Sequence, residues 1–82
     1  MNQITRWLAS KYAPNIRFNS ISAGGLKRNQ DNLFLTRYKK LTPLKRLANE
    51  KDISSIVLFL LSSKSSYITG QNIIVDGGFS II

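Results

Sequence analysis

Apolar side chains recur every three or four residues at the start of the chain, at Ile4, Trp7, Leu8 and Tyr12. This spacing predicts a helix from about Asn2 to Tyr12 with these residues on one side. Pro14 and Asn15 then end the helix. A helix that begins at the first methionine without a capping residue also indicates a chain cut from a longer one, and we expect truncation.

The pattern next changes to alternation. Ile16 to Ser22 alternates and contains β-formers, so we predict a strand. Ala23-Gly24-Gly25 ends this strand with residues that let another group approach the backbone closely. A basic loop from Leu26 to Asp31 and a short helix from Asn32 to Lys40 are expected to follow. Residues 41–44 form a turn, because their proline disfavours helix at the residue before it.

The strongest helix signal begins at Asn49, which is a good N-cap residue. Asp52, three residues later, resembles the acidic half of a capping box, and Glu50 and Asp52 both favour the positive end of the helix dipole. The predicted core face consists of Ile53, Ile56, Val57, Leu60 and Leu61. Leu58 and Phe59 widen this apolar surface, which therefore needs a second partner such as another subunit or domain.

A continuous apolar run near the C-terminus predicts the last strand, from about Asn72 to Val75, covered on both faces. The element order is then helix, strand, lid-like segment, helix, strand. Two strands with a helix between them predict a parallel pair joined by a right-handed crossover. The fold class that follows is α/β, in one unit without repeats or a linker.

The composition restricts the chemistry that this chain can carry. It has no cysteine and no histidine, so we expect no disulfide and predict no metal site. The absence of cysteine fits a cytoplasmic protein. The longest apolar run, Ile56 to Leu61, is far shorter than the roughly 18 residues of a membrane span, and the N-terminus does not resemble a signal peptide. We therefore expect an intracellular chain with no membrane partner.

The net charge of +8 comes from twelve basic and four acidic residues. Five of the basic residues form one cluster, Arg37, Lys39, Lys40, Lys45 and Arg46. Such a cluster is able to bind phosphate on nucleic acid, a membrane surface or an acidic ligand, so a small basic nucleic-acid-binding protein is one hypothesis. A solvated basic face is the alternative, and we favour it because no aromatic platform or groove-reading motif accompanies the charges.

Two stretches carry a family resemblance, Arg17 to Gly25 and Tyr67 to Gly78. In order and spacing they resemble the closing strands of the short-chain dehydrogenases/reductases, and Lys27 to Arg46 resembles that family's substrate lid. The resemblance implies that residues 1–82 are the C-terminal part of an NAD(P)-binding, Rossmann-like domain with a doubly wound parallel sheet. Residues 27–46, called the lid segment below, would be a mobile cover over the substrate.

The same resemblance implies a cofactor-binding set after the first strand, namely Ala23, Gly24, Leu26 and Arg28. Ala23-Gly24 stands where the family has a Pro-Gly pair. The family implies that the Leu26 backbone bonds the nicotinamide carboxamide of NAD or NADP. Arg28 stands where many members have a threonine that touches the cofactor phosphates, and a guanidinium can replace that contact by charge.

Two motifs of the family do not occur in the 82 residues. No G-x-x-x-G-x-G is present to hold a pyrophosphate at a helix N-terminus. No tyrosine is followed four places on by lysine, and a tyrosine is a poor base until a neighbouring ammonium lowers its pKa. We therefore identify no catalytic residue. The complete family transfers hydride between nicotinamide and a carbonyl or alcohol, and we expect no such activity from this chain alone.

Two polar residues lie in or directly after the predicted strands. Asp76 has no base or nucleophile nearby in sequence, so we predict a structural hydrogen-bonding role after the last strand. Asn19 lies in mid-strand and is predicted to be a buried structural amide. A non-catalytic interaction module is a further alternative for the whole chain, because the wide apolar helix at residues 53–61 could dock on a full-length relative or form a homo-oligomer.

Overall fold

The computed structural model describes residues 2–81. Its helices are α1 (Asn2–Tyr12), α2 (Asn32–Leu41) and α3 (Glu50–Leu61), and its strands are β1 (Ser20–Ala23) and β2 (Asn72–Val75). Short 3₁₀ helices follow at Ser63–Ser65 and Phe79–Ile81. The predicted order of elements is confirmed. Within the described range, no helix is both long enough and apolar enough to cross a membrane.

The two strands form a parallel pair, with Ser20 opposite Asn72 and Ala23 opposite Val75. The predicted parallel pairing is confirmed, and α3 lies between the strands in sequence, so the chain has a partial α/β fold. One prediction for β2 is wrong. Ile74 is 57% exposed, so the described part of the chain does not cover both faces of this strand.

The first strand begins at Ser20 rather than at the predicted Ile16. Just before Ser20, side-chain hydrogen bonds take the place of regular backbone pairing between strands. Thr69 Oγ1 accepts a hydrogen bond from the N–H of Phe18 at 3.1 Å. The Asn19 amide donates to one backbone carbonyl and accepts from one backbone N–H of the opposite segment, both at 3.0 Å. The structural role predicted for Asn19 is therefore confirmed, although the residue is half-buried rather than buried and lies before the strand.

Both ends of α3 are fixed by side chains. The predicted capping box is confirmed, since Asn49 accepts from the N–H of Asp52 at 3.1 Å and the Asp52 carboxylate accepts from the N–H of Asn49 at 2.8 Å. At the other end the Arg17 guanidinium donates to several oxygens at 2.9 to 3.4 Å. They are the carbonyls of Leu60, Ser62, Ser65 and Ile68 and the Ser65 hydroxyl. A cation here satisfies helix-terminal carbonyls and complements the helix dipole.

The buried face of α1 differs from the predicted one. Thr5 and Ala9 are buried, and Gly70 lies beside Ala9 so closely that a Cβ built on the glycine would be 3.4 Å from the Ala9 Cβ. Ile4 and Trp7, predicted to lie on the packed side, are 64% and 59% exposed. Small residues allow α1 to approach the turn before β2, and its larger apolar residues lie outside that contact.

The described residues bury few apolar side chains. Ala9 and Leu47 are the buried hydrophobic residues within the range 2–81. The predicted core face of α3 is partly wrong, because Val57 and Leu61 are exposed. Apolar faces on two helices are therefore left exposed. Exposed apolar patches of this kind mark surfaces against which another protein segment or subunit packs.

Candidate cofactor site at the strand ends

The candidate site begins where the two strands end. The N–H of Gly24 donates to the carbonyl of Val75 at 3.0 Å and extends the ladder beyond β1. The chain then forms a parallel bridge to the segment before α3, since Ala48 donates to Gly25 and Lys27 donates to Ala48, both at 2.9 Å. Ligands of open α/β sheets bind outside the carboxyl ends of the strands, and these bonds fix the backbone at that place.

Gly25 is a point of close approach, as predicted for this turn, and the approaching group is Tyr38. Gly25 has φ +71°, and a Cβ added there would overlap the Tyr38 ring. Both the positive φ and the missing side chain are therefore required. Because Tyr38 belongs to α2, the lid segment is packed directly on the end of the first strand.

Three aromatic rings form a row beside this contact. Tyr38 stacks on Phe79 with ring centroids 5.0 Å apart and planes at 10°, and on Phe34 with centroids 5.8 Å apart and planes at 28°. The row joins α2 to the 3₁₀ helix at residues 79–81. Sequence reasoning did not identify Tyr38 as a site residue; the one available signal was its occurrence in a lid-like segment.

The four predicted cofactor residues lie together on one short stretch of backbone. Ala23 ends β1, and Gly24 is crowded, because a Cβ there would be 3.2 Å from the Cβ of Asp76. The bridge to Ala48 uses the backbone groups on either side of Leu26, so the Leu26 N–H and carbonyl point away from that neighbour. The Arg28 side chain is exposed and makes no hydrogen bond or ion pair within residues 2–81.

Gln30 is a further residue at this site. Its side-chain amide donates to the carbonyl of Leu26 at 2.8 Å and accepts from the N–H of Arg28 at 2.6 Å. The backbone of residues 26–28 therefore binds both the donor and the acceptor of one primary carboxamide, that of Gln30. Sequence reasoning missed Gln30, because a glutamine in a polar loop carries no spacing signal.

Asp76, at the end of β2, has a structural role, as predicted. Its carboxylate accepts from the N–H of Gly78 at 2.9 Å and from the N–H of Ser80 at 3.0 Å, and so caps the 3₁₀ helix that carries Phe79. A hydrogen bond from the Ser80 side chain is the main cause that lowers the pKa of the Asp76 carboxyl below its ordinary value, and these backbone N–H groups lower it further. The carboxylate thus remains ionised as a cap.

Two side chains of the basic cluster make polar contacts within the protein. Arg46 forms an ion pair with Asp52 at 2.7 Å, and Lys45 Nζ donates to the carbonyl of Lys40 at 2.8 Å. Hydrogen bonding to Arg46, followed by the backbone N–H of Asn49, lowers the pKa of Asp52 to about 2. These contacts favour the interpretation of the cluster as a solvated face with local partners.

Comparison with known proteins supports the fold described above. A family model described as enoyl-(acyl carrier protein) reductase matches residues 1–80. Post-translational flagellin modification protein A of Campylobacter coli is 38% identical over 82 residues, and a tropinone reductase homologue of Arabidopsis thaliana is 42% identical over 86 residues; each match covers 99% of this chain and 32% of the relative. A short chain dehydrogenase from Leptospira borgpetersenii, solved with bound NAD+, has a TM-score of 0.91 and 46% identity over 96% of this chain and 32% of that chain.

The parallel strands, their glycine-rich exit and the following lid segment define part of a Rossmann-like α/β domain of the kind found in nicotinamide-dependent oxidoreductases. The chain belongs to the short-chain dehydrogenase/reductase family. It spans about a third of the length of the curated relatives that it matches.

Proposed function

We propose that this chain forms one wall of the nicotinamide pocket of an NAD(P)-dependent oxidoreductase. The complete protein would transfer hydride between the nicotinamide ring and a small carbonyl or alcohol substrate. The observation that carries the proposal is the backbone of residues 26–28, which holds a primary carboxamide between the Leu26 carbonyl and the Arg28 N–H. Nicotinamide presents the same chemical group, so these residues fit the cofactor.

Each of the four residues has a distinct part in this proposal. Ala23 keeps the end of the strand free of a bulky side chain, and Gly24 lets the backbone pass close to Asp76 there. Leu26 offers backbone groups that are not used by the bridge to Ala48. Arg28 offers an exposed guanidinium without a protein partner in the described chain, which is suited to a cofactor phosphate.

The residues of this chain would bind and orient the cofactor rather than move a proton. Bound NAD(P) would supply the hydride. Tyr38 and the rest of the lid segment would exclude water from that side of the ring, because the aromatic row closes the end of the strand. No tyrosine of the 82 residues is followed four places on by lysine, so the proton of the reaction would require groups outside this sequence.

An NMR titration of the isotope-labelled 82-residue chain with NAD+ tests the binding proposal. We expect shifts confined to the backbone amides of residues 23–28 at millimolar cofactor, because most dinucleotide affinity comes from the glycine-rich βαβ unit that this sequence lacks. Shifts that lie elsewhere, or no shift up to the solubility limit, would refute it. Turnover of NADH with a panel of ketones and aldehydes is expected to be absent. Measurable turnover by the pure chain would contradict the proposal that these residues bind the cofactor without completing the reaction.

A second candidate function is association through the uncovered helix faces. Leu58 and Leu61 of α3 are 67% and 77% exposed, and Ile4 and Trp7 of α1 are also largely exposed. Burial contributes about 25 cal/mol for each Å² of apolar surface, so these faces favour packing against a full-length relative or a second copy. Sedimentation of the pure chain, alone and with a full-length relative, tests this. A monomer that leaves the relative unchanged would argue against it.

A further inference from the structure

We infer that Gln30 is an intramolecular competitor for the carboxamide position of this site. Its side chain fills the place between the Leu26 carbonyl and the Arg28 N–H, and a nicotinamide carboxamide would have to displace it before binding there. The inference rests on the proposed cofactor function and adds to it a residue that controls access to the pocket.

The geometry of the two hydrogen bonds supports this assignment. Gln30 Nε2 lies 2.8 Å from the Leu26 oxygen, and Gln30 Oε1 lies 2.6 Å from the Arg28 nitrogen. Both polar ends of one amide are satisfied by backbone groups only two residues apart. A ligand that makes the same pair of bonds needs one N–H donor and one acceptor on the same carbon, and a primary carboxamide presents both.

The location of Gln30 allows its side-chain amide to be exchanged for the amide of a ligand. Gln30 is half-buried, and it directly precedes Asp31, the N-cap of α2. Release of the glutamine amide leaves the two backbone groups open to water, which can hydrate them until a ligand binds. Displacement therefore requires a side-chain rotation and no change in the strands.

A purely structural role for Gln30 makes the opposite prediction. If the amide only braces the loop, its removal loosens residues 26–28 and weakens the binding of any ligand there. If it competes with the ligand, its removal raises the fraction of chains that are ready to bind, and the apparent dissociation constant falls in proportion. The sign of the change in affinity therefore separates the two roles.

The test is a titration of the 82-residue chain with nicotinamide itself, followed by NMR at the backbone amides of residues 26–28. We expect Gln30→Ala to lower the apparent dissociation constant roughly three- to tenfold. Gln30→Glu is expected to act in the same direction, because a carboxylate cannot donate to the Leu26 carbonyl. Asn29→Ala, a change in the neighbouring loop residue, is the matched control and should leave the constant unchanged. Nicotinic acid, which lacks the amide donor, should bind no variant at this position.

The outcomes distinguish this inference from the function on which it rests. Tighter binding by both Gln30 variants, together with movement of the Gln30 side-chain amide signals when wild type is titrated, would establish competition. Binding at residues 26–28 that is unchanged or weaker in the Gln30 variants would overturn the inference and leave the cofactor site standing. Absence of any shift at residues 26–28 in wild type and in both Gln30 variants would overturn the inference and the proposed pocket together.

Discussion

The ring of Tyr38 lies almost parallel to the ring of Phe79, with centroids 5.0 Å apart and planes at 10°. Tyr38 belongs to α2 in the lid segment, and Phe79 follows the exit of β2. The stack therefore joins two segments that are distant in sequence and holds Tyr38 against Gly25 at the end of the first strand. The position of α2 against this strand end therefore depends on contacts made within the chain.

Replacement of Tyr38 by alanine should destabilise the chain, because it removes both contacts in the aromatic row. Each aromatic pair is worth about 0.5–1.5 kcal/mol, so we expect a loss of roughly 1–3 kcal/mol in the free energy of unfolding. Tyr38→Phe keeps the stack and should stay within about 0.5 kcal/mol of wild type. Urea unfolding followed by circular dichroism measures this. Tyr67→Ala, at a fully exposed tyrosine, is the control, and an equal loss there would contradict the assignment.

Gly25 and Gly70 offer a matched pair for testing the close approach of Tyr38. Both have positive φ, +71° and +78°, but a Cβ at Gly25 would overlap Tyr38, whereas one at Gly70 would make ordinary contact with Ala9. Left-handed backbone costs a residue other than glycine about 1–2 kcal/mol, so both alanine variants lose stability and Gly25→Ala loses more. The extra loss of stability in Gly25→Ala should disappear when Tyr38→Ala is combined with it, as measured by free energies of unfolding. An excess that persists would mean that backbone strain alone is responsible.

Replacing Arg17 by lysine should destabilise the fold, although the substitution keeps the charge. Its guanidinium donates to five oxygens around the C-terminal end of α3, a geometry that the single ammonium of lysine cannot reproduce. Hydrogen bonds from charged groups contribute about 1.5–3 kcal/mol each in favourable cases, and the net loss for Arg17→Lys is expected to be roughly 2 kcal/mol. Chemical unfolding measures it. Arg6→Lys, at an exposed arginine, is the control and should remain near wild type.

Stability should fall in acid through the protonation of Asp52. Its pKa is lowered to about 2 in the folded chain from an ordinary 3.8, so the unfolded chain binds more protons between these values. The contribution of this carboxylate is therefore complete above about pH 4 and is lost as the pH falls toward about 2. Asp52→Asn should flatten the pH dependence of unfolding in this window, and Arg46→Gln should flatten it partly. An unchanged slope in Asp52→Asn would contradict the pairing.

Much of the local structure was predictable because it depends on neighbours in sequence. The spacing of Asn49 and Asp52 predicted the capping box of α3, and the apolar run at residues 72–75 predicted β2 with its observed bounds. The helix predicted from Asn32 to Lys40 extends one residue further, to Leu41. Each of these signals acts within one helical turn or one strand.

The start of β1 and the packed side of α1 were predicted incorrectly because both depend on contacts that are remote in sequence. The Asn19 amide and the Thr69 hydroxyl replace strand pairing before Ser20. Periodicity alone indicates an apolar stripe, but the buried residues of α1 are Thr5 and Ala9, and Ala9 lies beside Gly70.

The sequence by itself determined the order of elements and the family and predicted a cofactor-binding stretch at residues 23–28, since glycines, caps and apolar runs are local signals of backbone conformation. The tertiary structure decided what occupies that stretch. Tyr38 fills the space left by Gly25, and Gln30 bonds the backbone at Leu26 and Arg28. Hydrogen bonds and ring contacts depend on distances in space of a few ångströms, and a linear pattern does not contain these distances until the chain has folded.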